Sequence, residues 1–135
     1  MFLHQDVLRT ASWQAQLRGS KKWFICAPSE SRHLPSAGKI DAWNPDYAAY
    51  PSFANLHCFE DEVQTGEMIF YPQDYWHQTI NTQTPTMTAS GTVCDQNNYR
   101  DISAELRNEC RSKKFKWDFS PTLCEELEKC HELWS

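Results

Sequence analysis

The chain has 135 residues, so it forms one domain at most and is long enough to bury a single core. Its formal net charge of -5, from 18 acidic and 13 basic residues, argues against nucleic acid as a primary partner. We also expect no membrane partner, because no apolar run approaches the roughly 18 residues that span a bilayer. The first residues lack the basic and apolar regions of a signal peptide, so we do not expect the chain as written to direct its own secretion.

The chain opens with MFLHQD, in which His4 and Asp6 flank a single residue. Side chains alternate between the two faces of a strand, so His4 and Asp6 point the same way while Gln5 points the opposite way. This geometry lets an imidazole nitrogen and a carboxylate oxygen converge on one metal ion. A His-x-Asp pair is common by chance, so a metal site requires a third ligand from elsewhere in the chain.

Sequence patterns typical of strands fill the first two thirds of the chain. In WQAQLRG, residues 13–19, apolar and polar side chains alternate with the period of a half-buried strand. A long polar segment, rich in Pro, Ser and Asn, runs from about residue 29 to residue 55 and is expected to be a loop. Six short strands with tight turns predict a sandwich or a barrel. The predicted strands are residues 13–19, 21–28, 56–63, 67–72, 76–81 and 86–93.

The pattern becomes helical after Cys94. Residues 98–113 carry apolar side chains at helical spacing with charged residues between them. Ser120 and Pro121 predict a helix start, with the hydroxyl as N-cap and the proline at the first helical position. A second, short amphipathic helix follows over residues 122–134, and we expect the two helices to form a hairpin that packs on the outside of the barrel. The predicted domains are residues 1–94 for the barrel and residues 95–135 for the helical extension.

The third candidate metal ligand is His77, in FYPQDYWHQT near the start of a predicted strand. Two histidines and one carboxylate form the facial triad of non-heme Fe(II) oxygenases, which leaves coordination positions open for a chelating cosubstrate and dioxygen. The flanking Tyr75 and Trp76 either shape the wall of the pocket or pack within the barrel. The other histidines have no partner at ligand spacing and are interpreted as surface or core residues: His33, His57 and His131.

Lysine and hydroxyl side chains on two strands suggest a polar interior. On KKWFIC, Lys21 shares one face with Trp23 and Ile25, and a buried lysine needs an anionic partner such as a cosubstrate carboxylate. The alternative is that the lysines mark an exposed strand end. On the final strand a row of small hydroxyls suits either a barrel interior that holds a polar ligand or a solvent-facing stripe. This row consists of Thr86, Thr88, Ser90 and Thr92.

The series HQD, GSKKW, NPDYAAYPSF and GEMIFYPQDYWHQT resembles the Jumonji-C (JmjC), or cupin-like, branch of the Fe(II)/2-oxoglutarate dioxygenases, which contains the asparaginyl hydroxylase of hypoxia-inducible factor. The resemblance covers about residues 2–93 in consistent order. It implies a mainly β, double-stranded β-helix (jelly-roll) barrel with about six of eight strands present, followed by the helical hairpin. Because only residues 1–3 precede the His-x-Asp pair, we expect the chain to be the C-terminal portion of a longer protein.

The resemblance also implies a site and an activity. Iron would be bound by His4, Asp6 and His77, and Lys21 would hold the distal carboxylate of 2-oxoglutarate. On the last strand Thr92 matches the family's polar residue near the cosubstrate, with Ser90 as the second choice. The implied reaction is hydroxylation of a protein or peptide side chain, with lysine demethylation less favoured. The alternative is a non-catalytic binding or scaffolding domain in which an incomplete barrel no longer turns over.

Six cysteines complete the set of chemically informative residues. Cys26 and Cys58 lie in predicted strands and are expected to be buried free thiols. Folding the two predicted helices into an antiparallel hairpin predicts two nested bridges, which would imply maturation in an oxidising compartment such as the ER lumen. The alternative is four reduced cysteines in a cytosolic protein. The predicted bridges are Cys110–Cys124 and Cys94–Cys130.

Overall fold

The computed structural model describes residues 1–35, 39–112 and 121–134. The chain divides into two compact units, one of Met1–Asp6 and Ala11–Val93, the other of Val7–Thr10 and Cys94–Ser135. Six strands precede two α-helices, as the sequence predicts, whereas the expected N-cap Ser120 lies outside the described residues. The elements are β1 (Ala11–Arg18), β2 (Lys21–Cys26), β3 (Cys58–Val63), β4 (Met68–Tyr71), β5 (Trp76–Asn81), β6 (Met87–Val93), α1 (Tyr99–Ser112) and α2 (Pro121–Trp134).

The strands form two antiparallel sheets of three strands each. One sheet has the order β4–β1–β6 and the other the order β3–β2–β5. The chain therefore passes from one sheet to the other after β1, β3, β4 and β5, which is the connectivity of a jelly roll. The mainly β, jelly-roll prediction is confirmed.

Strand β2 is buried on both of its faces. On one face Trp23, which is 1% exposed, packs against Tyr71 of the other sheet, with ring centroids 5.6 Å apart. On the opposite face Phe24 and Cys26 pack against Phe53 in the main core cluster. We call the first face of this sheet its interior face and the second its outer face.

The segment expected to be a polar loop contributes to that core. It contains two short 3-10 helices, Pro28–His33 and Pro51–Asn55. Several of its apolar residues pack against the outer face of β2, so the prediction of a simple polar loop is wrong in this respect. The core residues that it supplies are Ile40, Ala42 and Phe53.

The interior face of the β4–β1–β6 sheet is polar. The Lys21 ammonium of the other sheet lies 3.2 Å from Gln14 Oε1 and 3.5 Å from Thr88 Oγ1, so these two side chains point between the sheets. The hydroxyl row of β6 therefore lies on the interior face, while Leu17 on the opposite side of β1 is 52% exposed. The cross-strand pairs that share the interior face are Ser12–Thr92, Gln14–Ser90 and Gln16–Thr88.

In the helical unit, α1 and α2 are joined by the predicted disulfide between Cys110 and Cys124, whose Cα atoms are 5.7 Å apart. The predicted partner bridge is wrong, because Cys94 is exposed and free and lies in neither helix. The expected packing of the helices on the barrel stays a prediction. Among the described residues, no helix is both long and apolar enough to cross a membrane.

The expectation of free thiols at Cys26 and Cys58 is also wrong. These residues are direct partners in the register of β2 and β3 and form a disulfide, with Cα atoms 4.4 Å apart. That separation is typical of a non-hydrogen-bonded antiparallel pair, in which side chains approach each other closely. The physical cause is therefore the pairing register of the two strands, which is not visible in the sequence of either one.

Candidate metal centre

The first residues of the chain are attached to β5 at His77. His4 and His77 form an isolated antiparallel bridge, in which the His4 amide lies 3.1 Å from the His77 carbonyl and the His77 amide 2.8 Å from the His4 carbonyl. The two imidazole centroids are 4.3 Å apart. Gln5 points away from this pair and donates a hydrogen bond to the Asp74 carbonyl at 2.5 Å. The pairing thus places a residue from the chain start beside one 73 positions later.

Asp6 completes a cluster with the two histidines. Its Oδ1 lies 3.6 Å from Nε2 of His77, and one ligand atom from each of His4, Asp6 and His77 lies within 4.8 Å of the others. This is the one group of three or more potential metal ligands within the part of the chain that the structure describes. The structure therefore brings together the three residues that the sequence selects.

Both histidines direct the same ring nitrogen toward the cluster. Nδ1 of His4 lies 2.8 Å from the Phe2 carbonyl, and Nδ1 of His77 lies 3.2 Å from the Tyr75 carbonyl. Because a carbonyl oxygen only accepts hydrogen bonds, Nδ1 carries the proton in each ring, and the lone pair of Nε2 is available to a metal. Burial lowers the pKa of His77, which is 4% exposed, and thus favours the neutral form that binds metals.

The second oxygen of Asp6 is held by two hydroxyl groups. Ser12 Oγ donates a hydrogen bond to Oδ2 at 2.8 Å, and the Tyr71 hydroxyl donates to the same oxygen at 3.0 Å. Burial, together with the adjacent Asp6 carboxylate, raises the pKa of Tyr71 to about 12, so the phenol keeps its proton and remains a donor. The carboxylate is thus held through Oδ2, while its other oxygen, Oδ1, is the one that lies near His77.

Lys21 lies on the interior face, as the sequence analysis expects for a cosubstrate-binding lysine. Its two nearest polar partners are neutral oxygens, those of Gln14 and Thr88, and burial lowers its pKa. Among the described residues no carboxylate lies within ion-pair distance of its ammonium. The position therefore has a positive charge that faces the space between the sheets, with no anion beside it from the described residues.

The two hydroxyls selected on β6 lie on the same interior face, but neither touches Lys21. Thr92 is paired with Ser12 and Ser90 with Gln14, and both hydroxyl residues are solvent-exposed. The hydroxyl that contacts the lysine belongs to Thr88. A role for Thr92 or Ser90 toward a cosubstrate stays a prediction.

The neighbours of His77 are divided between the two faces of the sheet. Tyr75 packs against the interior cluster that contains Trp23, whereas Trp76 packs against the outer core and donates a hydrogen bond to Ser31 Oγ at 2.8 Å. Of the two alternatives for Trp76, structural packing is thus the correct one. His33 and His57 lie outside the cluster, and the side chain of His131 is outside the described residues.

Sequence reasoning did not select Ser12, Gln14 or Tyr71, and it placed Thr88 in the hydroxyl row of the last strand without choosing it for the cosubstrate. For Ser12 and Gln14 the signal is the alternation of β1, on which they share a face, but alternation alone does not show which face points inward. The sequence distance of 65 residues between Asp6 and Tyr71 gives no sign of their contact. The position of these residues at the site can be identified only when the pairing of the strands is known.

Known proteins match this chain in sequence. A family model described as a cupin-like domain matches residues 1–120. The 2-oxoglutarate and iron-dependent oxygenase JMJD4 of Gallus gallus is 32% identical over 87 residues, which are 59% of this chain and 20% of that protein. The arginine-specific demethylase JMJ20 of Arabidopsis thaliana is 29% identical over 86 residues, 60% of this chain and 19% of that protein.

A third relative has a name that refers to RNA. The tRNA wybutosine-synthesizing protein 5 of Danio rerio is 28% identical over 87 residues, 62% of this chain and 26% of that protein. The chain therefore spans between 19% and 26% of the length of these three relatives.

Proposed function

Because this chain belongs to the cupin-like domain family, we propose that it carries the metal centre of an Fe(II)- and 2-oxoglutarate-dependent oxygenase. The observation that carries the proposal is the cluster of His4, Asp6 and His77, with ligand atoms within 4.8 Å of one another. The relative JMJD4 is named as an enzyme of this type. The activity, substrate and partners of the whole protein are part of the proposal.

The donor set fits iron. Two neutral imidazoles and one carboxylate are the ligands of the facial triad in non-heme Fe(II) oxygenases. The Nδ1 hydrogen bonds to the Phe2 and Tyr75 carbonyls orient the two rings, as hydrogen-bonded partners of metal ligands commonly do. When bound, iron and 2-oxoglutarate would supply oxidation by dioxygen, of which one oxygen atom enters the substrate C–H bond and the other enters the succinate formed, with CO2, from 2-oxoglutarate.

Lys21 is the residue of this chain that we assign to the distal carboxylate of 2-oxoglutarate. It is paired with Asn81, four residues along β5 from His77, which is about 13 Å at the rise of a strand. A lysine side chain and a short dicarboxylate together cover that distance. An anion at this position would neutralise the ammonium, while Gln14 and Thr88 would orient it. Thr92, and then Ser90, remain our choices for a further contact to the cosubstrate.

We propose a protein or peptide side chain as the substrate and hydroxylation as the reaction, with lysine demethylation as the second choice. The support is the resemblance to an asparaginyl hydroxylase and the name of JMJ20, which describes a demethylase specific for arginine. The name of the third relative refers to tRNA, and the acidic composition of this chain favours a protein substrate over RNA.

Succinate formation tests the activity. The chain would be supplied with Fe(II), 2-oxoglutarate and dioxygen, and succinate measured without and with pooled cellular peptides. We expect the wild-type chain to form succinate and the His77→Ala variant to form none, while His33→Ala, which changes a histidine outside the cluster, behaves as wild type. A wild-type chain that binds metal and 2-oxoglutarate but forms no more succinate than His77→Ala would instead be the non-catalytic binding domain.

A further inference from the structure

Ser12 and Tyr71 are direct cross-strand partners on the interior face of the β4–β1–β6 sheet. Their hydroxyls lie 2.8 Å and 3.0 Å from one atom, Oδ2 of Asp6. They approach it from two neighbouring strands, β1 and β4. The partly buried carboxylate therefore has one oxygen that accepts two hydrogen bonds and another, Oδ1, that faces His77.

We infer that Ser12 and Tyr71 are positioning residues that restrict Asp6 to binding a metal through Oδ1 alone. This inference rests on the proposed function, since it assigns a role to residues around the same metal centre. When a carboxylate oxygen accepts two hydrogen bonds, both of its lone pairs are engaged, and it is a poor ligand for a metal ion. The other oxygen then becomes the single donor to the metal.

The restriction has a chemical consequence for the centre. A carboxylate that bound through both oxygens would occupy one more coordination position, and a facial triad works because its remaining positions are open to cosubstrate and dioxygen. Two hydroxyls on Oδ2 keep that position open. They also hold the carboxylate in place before a metal arrives, which raises metal affinity because less ordering is needed on binding.

Cobalt(II) tests the inference without any need for turnover. Its visible absorption reports the number and geometry of its ligands, and titration gives its affinity. Three variants of the full chain would be compared with the wild type: Ser12→Ala and Tyr71→Phe, which each delete one hydroxyl, and Ser12→Thr, which retains it. Tyr47→Phe is the matched control for the loss of a phenol hydroxyl, because Tyr47 is 56% exposed and packs against Phe53 of the outer core.

We expect Ser12→Ala and Tyr71→Phe each to weaken cobalt binding by about 10- to 100-fold, the usual effect of deleting a hydrogen bond to a metal ligand. Their absorption spectra should shift as Oδ2 is released, whereas Ser12→Thr and Tyr47→Phe should match the wild type in both readouts. Thermal unfolding of the metal-free variants identifies any general loss of structure, which would lower the melting temperature without changing the spectrum of the bound cobalt.

Two results would overturn the inference, and they differ from each other. If the wild type binds cobalt and the two hydroxyl deletions bind it with the same affinity and spectrum, Ser12 and Tyr71 do not position Asp6, and the metal centre itself stands. If the wild type binds no cobalt, the metal centre fails together with the proposed function.

Discussion

Lys21 and Lys22 are neighbours in the chain but point to opposite faces of β2. The Lys21 ammonium lies between the sheets, 3.2 Å from Gln14 Oε1, whereas the Lys22 ammonium lies 2.5 Å from a carboxylate oxygen of Glu60 on the outer face. Within the described part of the chain, Lys22 has an anionic partner and Lys21 does not. The pair therefore offers a matched comparison for the role of the interior charge.

Lys21→Ala should weaken the binding of 2-oxoglutarate to the metal-loaded chain by about 2 kcal/mol, or roughly 30-fold. This is the lower end of the range for a buried charge pair, because Lys21 is only partly buried. Lys22→Ala removes a partly exposed ion pair and should leave the affinity within about twofold. Calorimetric titration of 2-oxoglutarate into both variants, loaded with Mn(II), measures the difference. Equal affinities would assign the carboxylate to another group.

Removal of the Cys26–Cys58 bridge should destabilise the barrel unit. The bridge closes a loop across 32 residues, for which the loss of chain entropy in the unfolded state amounts to about 3–4 kcal/mol. Chemical denaturation of Cys58→Ser against the wild type measures this free energy of unfolding. Cys94→Ser is the control, since that thiol is free and exposed, and its substitution should change stability by less than about 0.5 kcal/mol.

The free thiol of Cys94 should also react with an alkylating reagent. Cys94 is exposed, so it should react in the native chain, whereas the bridged cysteines should react only after reduction. Peptide mapping by mass spectrometry after alkylation distinguishes the two groups. Native labelling of Cys26 or Cys58 would show reduced cysteines and would remove the argument for an oxidising compartment.

Phe24 should be far more important for stability than an exposed phenylalanine in the other sheet. Phe24 is 8% exposed and packs in the main core cluster, whereas Phe70 is 57% exposed. We expect Phe24→Ala to lower the free energy of unfolding by about 3–5 kcal/mol, from lost burial and a residual cavity. Phe70→Ala should lower the free energy of unfolding by less than about 1 kcal/mol. Similar losses for both variants would mean that the outer face of the β4–β1–β6 sheet is covered.

The order and type of the elements could be predicted from the sequence because periodicity is a local property. The sequence predicts a strand over residues 76–81, and β5 spans Trp76–Asn81. It predicts a helix over residues 98–113, and α1 spans Tyr99–Ser112. The choice of which face of a strand points inward, in contrast, is not a local property of the sequence. On β1 the polar residues Ser12, Gln14 and Gln16 face the interior, although apolar residues usually do so.

The candidate site shows the same division between local and long-range information. His4 and Asp6 could be selected together because a strand places alternate residues on one face, and His77 because its motif resembles that of a known family. The hydroxyls that hold Asp6 come from β1 and β4, and the disulfide at Cys26 comes from the register of β2 with β3. Such contacts depend on strand pairing, which the sequence of one strand does not contain.

Metal binding decides whether His4, Asp6 and His77 form a metal centre. The full chain would be titrated with Mn(II), which is stable in air, by calorimetry, alongside His77→Ala and the control His33→Ala. We expect one bound ion per chain for the wild type and for His33→Ala, and no saturable binding for His77→Ala. Saturable binding that survives His77→Ala, or a wild-type chain that binds no metal, would contradict the assignment of His4, Asp6 and His77 as the metal centre.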